Sequence, residues 1–206
     1  MWLLLARAAA DSGRTDEALR LEQRLSESTE PGVDEGAAAY ARLWTQVRLA
    51  RMWLATDDAT TRTAIRRRVR ETGALRDPPD VFVALSWSHP DDALSLGVHY
   101  PGYDAPTDAE RFDTATLGGT QNGIWALRIR EREDGDHLFQ ITRADTESLR
   151  ETDCELLVIV QPGTEQERIL RAEVHLTREL RTARFRLTEG GDLEPVPVPP
   201  PRPATR

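Results

Sequence analysis

The sequence predicts an α+β protein in two segments, N-terminal helical hairpins followed by an antiparallel β-sandwich. Three observations predict it. From Trp2 to about Gly73 apolar residues recur every three or four positions. At Arg76-Asp77-Pro78-Pro79-Asp80 two prolines stop that pattern. Beyond them the apolar period is two, and turn pairs such as Asn122-Gly123 and Pro162-Gly163 separate the runs. The expected domains are residues 1–76 as helical hairpins, 77–80 as a proline linker, 81–188 as a sandwich and 189–206 as a proline-rich, disordered tail.

The elements follow in order. Met1 to Ala10 has only Trp2 to Leu5 as a strongly apolar run, interrupted at Arg7, so it reads as the start of a buried helix rather than a leader. Gly13 ends that helix, and Thr15 is expected to cap the next, with Asp16 and Glu17 in its first turn. Ala18, Leu21 and Leu25 make one apolar stripe. Glu30-Pro31-Gly32 breaks the chain. Tyr40, Leu43, Trp44, Val47 and Met52 then mark a third helix, and Ala64, Ile65 and Val69 a fourth after Thr56-Asp57-Asp58. Strands are expected at Val81–Trp87, Leu94–Tyr100, around Trp125–Ile129, and at Leu138–Thr142, Leu156–Val160, Leu170–Leu176 and Ala183–Leu187.

Composition excludes several functions. The 206 residues carry a net charge of −8, which speaks against a general nucleic-acid or anionic-membrane surface. No apolar run reaches the roughly 20 residues of a membrane span. The single cysteine, Cys154, rules out an internal disulfide framework and a cysteine-cluster zinc site. All 27 basic residues are arginine and Asn122 is the only asparagine, a bias that points to a high-GC bacterial source. Without lysine there is no phosphate loop of the Gly-x-x-x-x-Gly-Lys type, and no serine sits in a nucleophile elbow.

Two resemblances refine the reading. Ala9-x-x-x-Gly13-Arg14-x-Asp16-Glu17-Ala18-Leu19 resembles a tetratricopeptide repeat, and Leu5-Ala6-Arg7 recurs as Leu49-Ala50-Arg51. The strand Val81 to Trp87, followed by Leu94-Ser95-Leu96-Gly97-Val98-His99-Tyr100-Pro101-Gly102, resembles the bacterial YfaP-like domain of unknown function. Domains of that kind often end proteins that carry helical repeats, so the resemblance implies the C-terminal part of a larger bacterial protein. The family's two motif aspartates fall on Ala93 and Ser95 and its histidine on Gly97, so the resemblance implies a kept packing skeleton without those ligands.

The chemistry-bearing residues are sparse. Asp91 and Asp92, with Asp104 and Asp108, are either cation ligands or a solvated turn. His99 and His175 lie opposite the apolar stripes and are expected to be exposed; with His89 and His137 they show no zinc-ligand spacing. Cys154 between Asp153 and Glu155 reads as a structural thiol. Glu131 and Glu133 alternate with Arg130 and Arg132 as a solvated face. Arg171, Arg178, Arg181, Arg184 and Arg186, interleaved with Glu173 and Glu179, predict cross-strand ion pairs. Trp44 and Trp53 are expected in the helical core, and Trp87 and Trp125 inside the sandwich, an exposed Trp125 being the alternative as a sugar-stacking surface.

Arg62, Arg66 and Arg70 share one helix face and, with Trp125 beside the Gly118–Gly123 loop, are the candidate partner-binding residues. The sequence therefore predicts no enzyme, with no catalytic, metal or cofactor residues. It predicts a protein–protein interaction or scaffold module with a protein partner. The alternative is a sandwich that binds carbohydrate or depends on calcium, through loops 88–93, 101–111 and 118–123.

Overall fold

A computed structural model describes residues 2–27, 35–72, 80–89, 92–102, 114–116, 124–144, 150–162 and 164–198. Four helices come first: α1 (Trp2–Asp11), α2 (Thr15–Ser26), α3 (Glu35–Leu54) and α4 (Ala59–Thr72). Nine strands follow: β1 (Val81–Trp87), β2 (Leu94–His99), β3 (Thr114–Thr116), β4 (Ile124–Ile129), β5 (His137–Arg143), β6 (Thr152–Val160), β7 (Arg168–Leu176), β8 (Thr182–Leu187) and β9 (Leu193–Val196). They form a five-stranded sheet in the order β3-β4-β1-β6-β7 and a four-stranded sheet in the order β2-β5-β8-β9. Every strand pairing is antiparallel.

The interior lies between the two sheets. Val81, Val83, Leu85 and Trp87 of β1 point into it, against Leu96 and Val98 of β2, Phe139 and Ile141 of β5, and Leu156 and Val158 of β6. At about 25 cal/mol per Å² of apolar surface removed from water, this cluster dominates the driving force for folding. The intervening residues of β1, Phe82 and Ala84, point the other way and are equally buried. Five consecutive buried residues, Val81 to Leu85, mark a strand covered on both faces.

What covers the second face is α3. Trp44 and Val47 pack onto Phe82, Ala84, Leu157 and Ile159, with Tyr40 and Ile169 at the margin. The Tyr40 ring stands edge-on to Trp44 at 6.2 Å and tilted to Phe82 at 6.4 Å. Arg51 of α3 reaches Glu167, just before β7, at 2.7 Å. Behind α3, Leu19 of α2 and Ile65 of α4 close on Leu49. Glu22 of α2 is buried there, its carboxylate accepting from Arg48 Nε at 2.9 and 3.1 Å. Burial outweighs that guanidinium and pushes the Glu22 carboxyl up to about 7.

The expected fold class is therefore corrected. The protein is built chiefly on two antiparallel sheets, and its N-terminal part is not a segment of tetratricopeptide-like hairpins. A repeat hairpin buries its apolar stripe on the next hairpin. Here α3 is 20 residues long and turns Trp44 and Val47 onto a sheet whose outer face is itself apolar. The helices form an accessory layer on that sheet.

Smaller corrections have equally local causes. Thr15 is the first residue of α2 rather than its cap; Arg14 holds the cap position and makes no side-chain cap bond. The expected disordered tail begins too early, because Leu193–Val196 forms β9 against β8, with Pro195 opposite Phe185. A proline lacks an N–H and is tolerated where a strand pairs on one side only, as β9 does. His99, expected to be exposed, is buried, as are Val98 and Tyr100 beside it. The Asp134-Gly135-Asp136 turn holds Gly135 at φ +108, and a Cβ there would stand 3.1 Å from Pro101, so both conformation and space call for glycine.

Candidate functional site

β7 ends the five-stranded sheet, so among the described residues only its β6 side is paired. From Ile169 onward its residues alternate between the two faces. Leu170, Ala172, Val174 and Leu176 belong to the interior side. Ile169, Arg171, Glu173 and His175 lie on the outer side, where Ile169 meets the helical layer and the charged residues are exposed. The β6 register sets Glu155 beside Glu173 and Asp153 beside His175, and the β1 register adds Ser86 beside Glu155.

These residues make an open groove of about 560 Å³ on the outer face, lined by Ser86, Ser88, Asp153, Glu155, Glu173 and His175. His175 Nδ1 is 2.7 Å from Asp153 and Nε2 is 3.2 Å from Glu151. The hydrogen bond to Asp153, aided by Glu151, holds the imidazole above its usual range. Arg171 lies 3.5 Å from Glu155. The groove thus carries an excess of carboxylates in contact with solvent, where salt weakens each charge pair.

Among the described residues the groove shows no serine or cysteine held against a free base. With both His175 nitrogens on carboxylates, the ring has no free site to draw a proton from a serine, as nucleophilic catalysis requires. Ser88 Oγ accepts from the Asp153 backbone N–H at 3.2 Å. Cys154 is buried beneath the groove, and burial, with Asp153 and Asp92 nearby, pushes its thiol up to about 12. Among the described residues no three His, Cys, Asp or Glu side chains converge as metal ligands do.

The sequence-predicted candidates fall elsewhere. Arg62 and Arg66 of α4 stack on Trp53 of α3, their guanidinium carbons 5.3 and 4.8 Å from the ring centroid. Arg62 also donates to Thr56 O at 2.8 Å and meets Asp57 at 3.2 Å. Arg70 belongs to α4, but its side chain lies outside the described residues. Trp125 of β4 is half-buried against the interior cluster. The structure brings Arg62 and Arg66 together and leaves Trp125 apart, in the sandwich.

Asp92 is neither a cation ligand nor a solvated turn residue. It is buried and holds Arg143 Nη2 at 3.1 Å and the Thr152 hydroxyl. Asp91, Asp104, Asp108 and the loop 118–123 lie outside the described residues. The predicted arginine pairing on the last strands takes other partners: Arg186 meets Glu194 at 2.7 Å and Arg184 donates to Gln140 at 2.9 Å.

His137, fully buried, sets its ring edge-on to Tyr100 at a centroid distance of 5.3 Å. Burial first, then Arg132, holds this imidazole below its usual range, against the pull of Asp136. Below the ordinary histidine range the unfolded chain therefore binds more protons than the folded one at this site, and stability falls as the pH falls. Glu22 titrates in an overlapping window with the opposite sign, so the test is a difference. His137→Phe is expected to gain in melting temperature relative to the native chain as the pH drops from 7.5 to 5, with the groups common to both cancelling. A constant difference over that range would remove His137 as an acid-sensitive group.

Missing from the sequence reading was the groove itself. The alternation of Asp153 with Glu155, and of Arg171 with Glu173 and His175, shows that each set shares a face. Which strands are neighbours is not written in that period. Comparison with protein-family models, with curated proteins and with solved structures finds no match for the chain.

Proposed function

We propose that this chain is a non-enzymatic protein–protein interaction module that accepts an added β-strand along β7. The observation that carries this reading is that edge. β7 is nine residues long, ends its sheet, and adjoins a carboxylate-rich groove with no nucleophile–base pair. An added strand would take its affinity from backbone hydrogen bonds and its selectivity from alternate side chains, of which those on the outer face would meet Glu173 and His175. The likeness of residues 81–102 to YfaP-like domains enters this reading only as support for a kept sandwich framework.

Selection of extended peptides from a random library, followed by amide hydrogen exchange of the complexes, tests the reading. Bound peptides are expected to slow exchange over Arg168–Leu176 and to carry arginine or lysine at alternate positions. β2, the longer of the two outer strands of the other sheet, serves as the internal comparison. Protection confined to β2 or to the helical layer would overturn the proposal.

A further inference from the structure

Resting on that reading of the β7 edge, we infer that its partner is a second copy of this chain, paired antiparallel about Ala172 so that two five-stranded sheets join into one. Four strands are outermost in the two sheets. β3 has three residues, β9 has four with Pro195 among them, β2 has six, and β7 has nine. β7 is the longest of these edges, so it presents the longest row of backbone N–H and C=O groups to another strand, and its charged residues choose which strand that is.

The register follows from the residues. In an antiparallel pair, directly opposed residues point to the same face, so a slip by one residue would turn the interior side of one copy onto the outer side of the other. Faces match when each copy pairs about a residue on a two-fold axis. Ala172 is the middle of Arg168–Leu176, so centring there overlaps the whole strand. That same centre sets Arg171 of each copy opposite Glu173 of the other on the outer face. On the interior side it sets Leu170 opposite Val174, and the small Ala172 side chains meet at the axis; at the strand ends it sets Ile169 opposite His175 and Arg168 opposite Leu176. Centring on Arg171 would oppose two arginines, and centring on Glu173 would oppose two glutamates and place Arg171 against His175.

The contact is isologous, so the charge pair forms twice, as a closed two-fold dimer requires. Leu170 and Ala172 are half-buried in one copy, at the margin of the interior cluster. A second copy would extend that interior across the joint. Arg168 does not obstruct the centre: its guanidinium turns toward the β8–β9 turn, donating to Gly190 O and to Asp192 at 2.7 Å each.

The test is the mass in solution, by light scattering and sedimentation, of the native chain and of charge variants at exposed β7 positions. The native chain is expected to be a dimer. Arg171→Glu alone and Glu173→Arg alone each put like charges across the axis and are expected to be monomers. An equimolar mixture of these two single variants restores opposite charges at both pairs and is expected to be a dimer, as is the double variant Arg171→Glu/Glu173→Arg. Circular dichroism of each variant confirms the fold. A native chain that stays monomeric at high micromolar concentration would overturn the inference. If such a monomer still gains β7 protection from selected peptides, the edge reading stands without the second copy. A dimer indifferent to all the charge variants would also overturn the inference, because the copies would then meet elsewhere.

Discussion

Asp92→Ala is expected to destabilise the protein by about 3–5 kcal/mol, the cost of leaving one member of a buried ion pair alone. Asp92 sits in the turn before β2, Arg143 at the end of β5 and Thr152 at the start of β6. The side chains of Asp92 and Arg143 are 5% and 1% exposed. Arg143 Nη2 is 3.1 Å from Asp92 Oδ1, and the Thr152 hydroxyl donates to the other carboxylate oxygen. Arg143 Nη1 donates to Arg150 O at 2.6 Å, and Arg181 Nη2 donates to Arg143 O at 3.0 Å. The network ties the four-stranded sheet, through β2 and β5, to β6 of the five-stranded one.

Removing the carboxylate leaves a buried guanidinium without its counter-charge, and that penalty, more than the lost attraction, sets the size of the effect. Arg143→Met should be comparably harmful because it strands the carboxylate. The paired change Asp92→Leu with Arg143→Met should recover much of the loss, since an apolar replacement of the whole pair carries no uncompensated charge. Urea unfolding of the four proteins measures this as a double-mutant cycle. Single losses under about 1 kcal/mol would place the pair among exposed salt bridges and contradict its burial.

Trp44→Ala is the second large effect, expected to cost about 3–5 kcal/mol by opening a cavity between α3 and the five-stranded sheet. Its ring is buried on Phe82, Ala84, Leu157 and Ile159, and Arg48 and Arg51 lie over it at 5.3 and 6.0 Å. Val47 alone cannot fill the space a lost indole leaves. Trp53→Ala gives the contrast: that ring is half-buried under Arg62 and Arg66 and should cost much less. Thermal unfolding followed by far-ultraviolet circular dichroism separates the two. Equal, small losses for both would mean that the helical layer is not anchored through Trp44.

How far the fold was legible follows from which physical signal each element carries. The period of two located β2, β4, β5, β7 and β8 to within a few residues, because a half-buried strand must alternate, while short continuous apolar runs marked β1 and β6. β3, three residues long, has too few positions to show a period. β9 was hidden by its proline, which composition reads as tail and pairing on one side permits. His99 follows Val98, a buried inward residue, and alternation sends it outward. At that end of β2 both faces are covered, so the rule fails.

The helical half was misread for a related reason. An apolar stripe on α3 says that something covers it and not what. Repeat-like spacing at Ala9–Leu19 suggested a neighbouring hairpin, whereas the five consecutive apolar residues of β1, Val81 to Leu85, were the clue to a doubly covered sheet. The candidate site suffered the same ambiguity. Arg62, Arg66 and Arg70 were recognisable as one helix face, yet Trp53, from another helix, decides what Arg62 and Arg66 touch.

The sequence by itself determined the switch from helices to strands near Pro78-Pro79, the face each strand residue takes, and that these residues hold no internal disulfide and no lysine. These depend on local periodicity and residue type. Only the tertiary structure decided that α3 covers the sheet, that Asp92 is locked to Arg143 from 51 positions away, and that β6 and β7 together assemble the acidic groove at an open edge. Those outcomes rest on pairings between distant segments, where burial and charge neutralisation select among arrangements that the local pattern leaves equal.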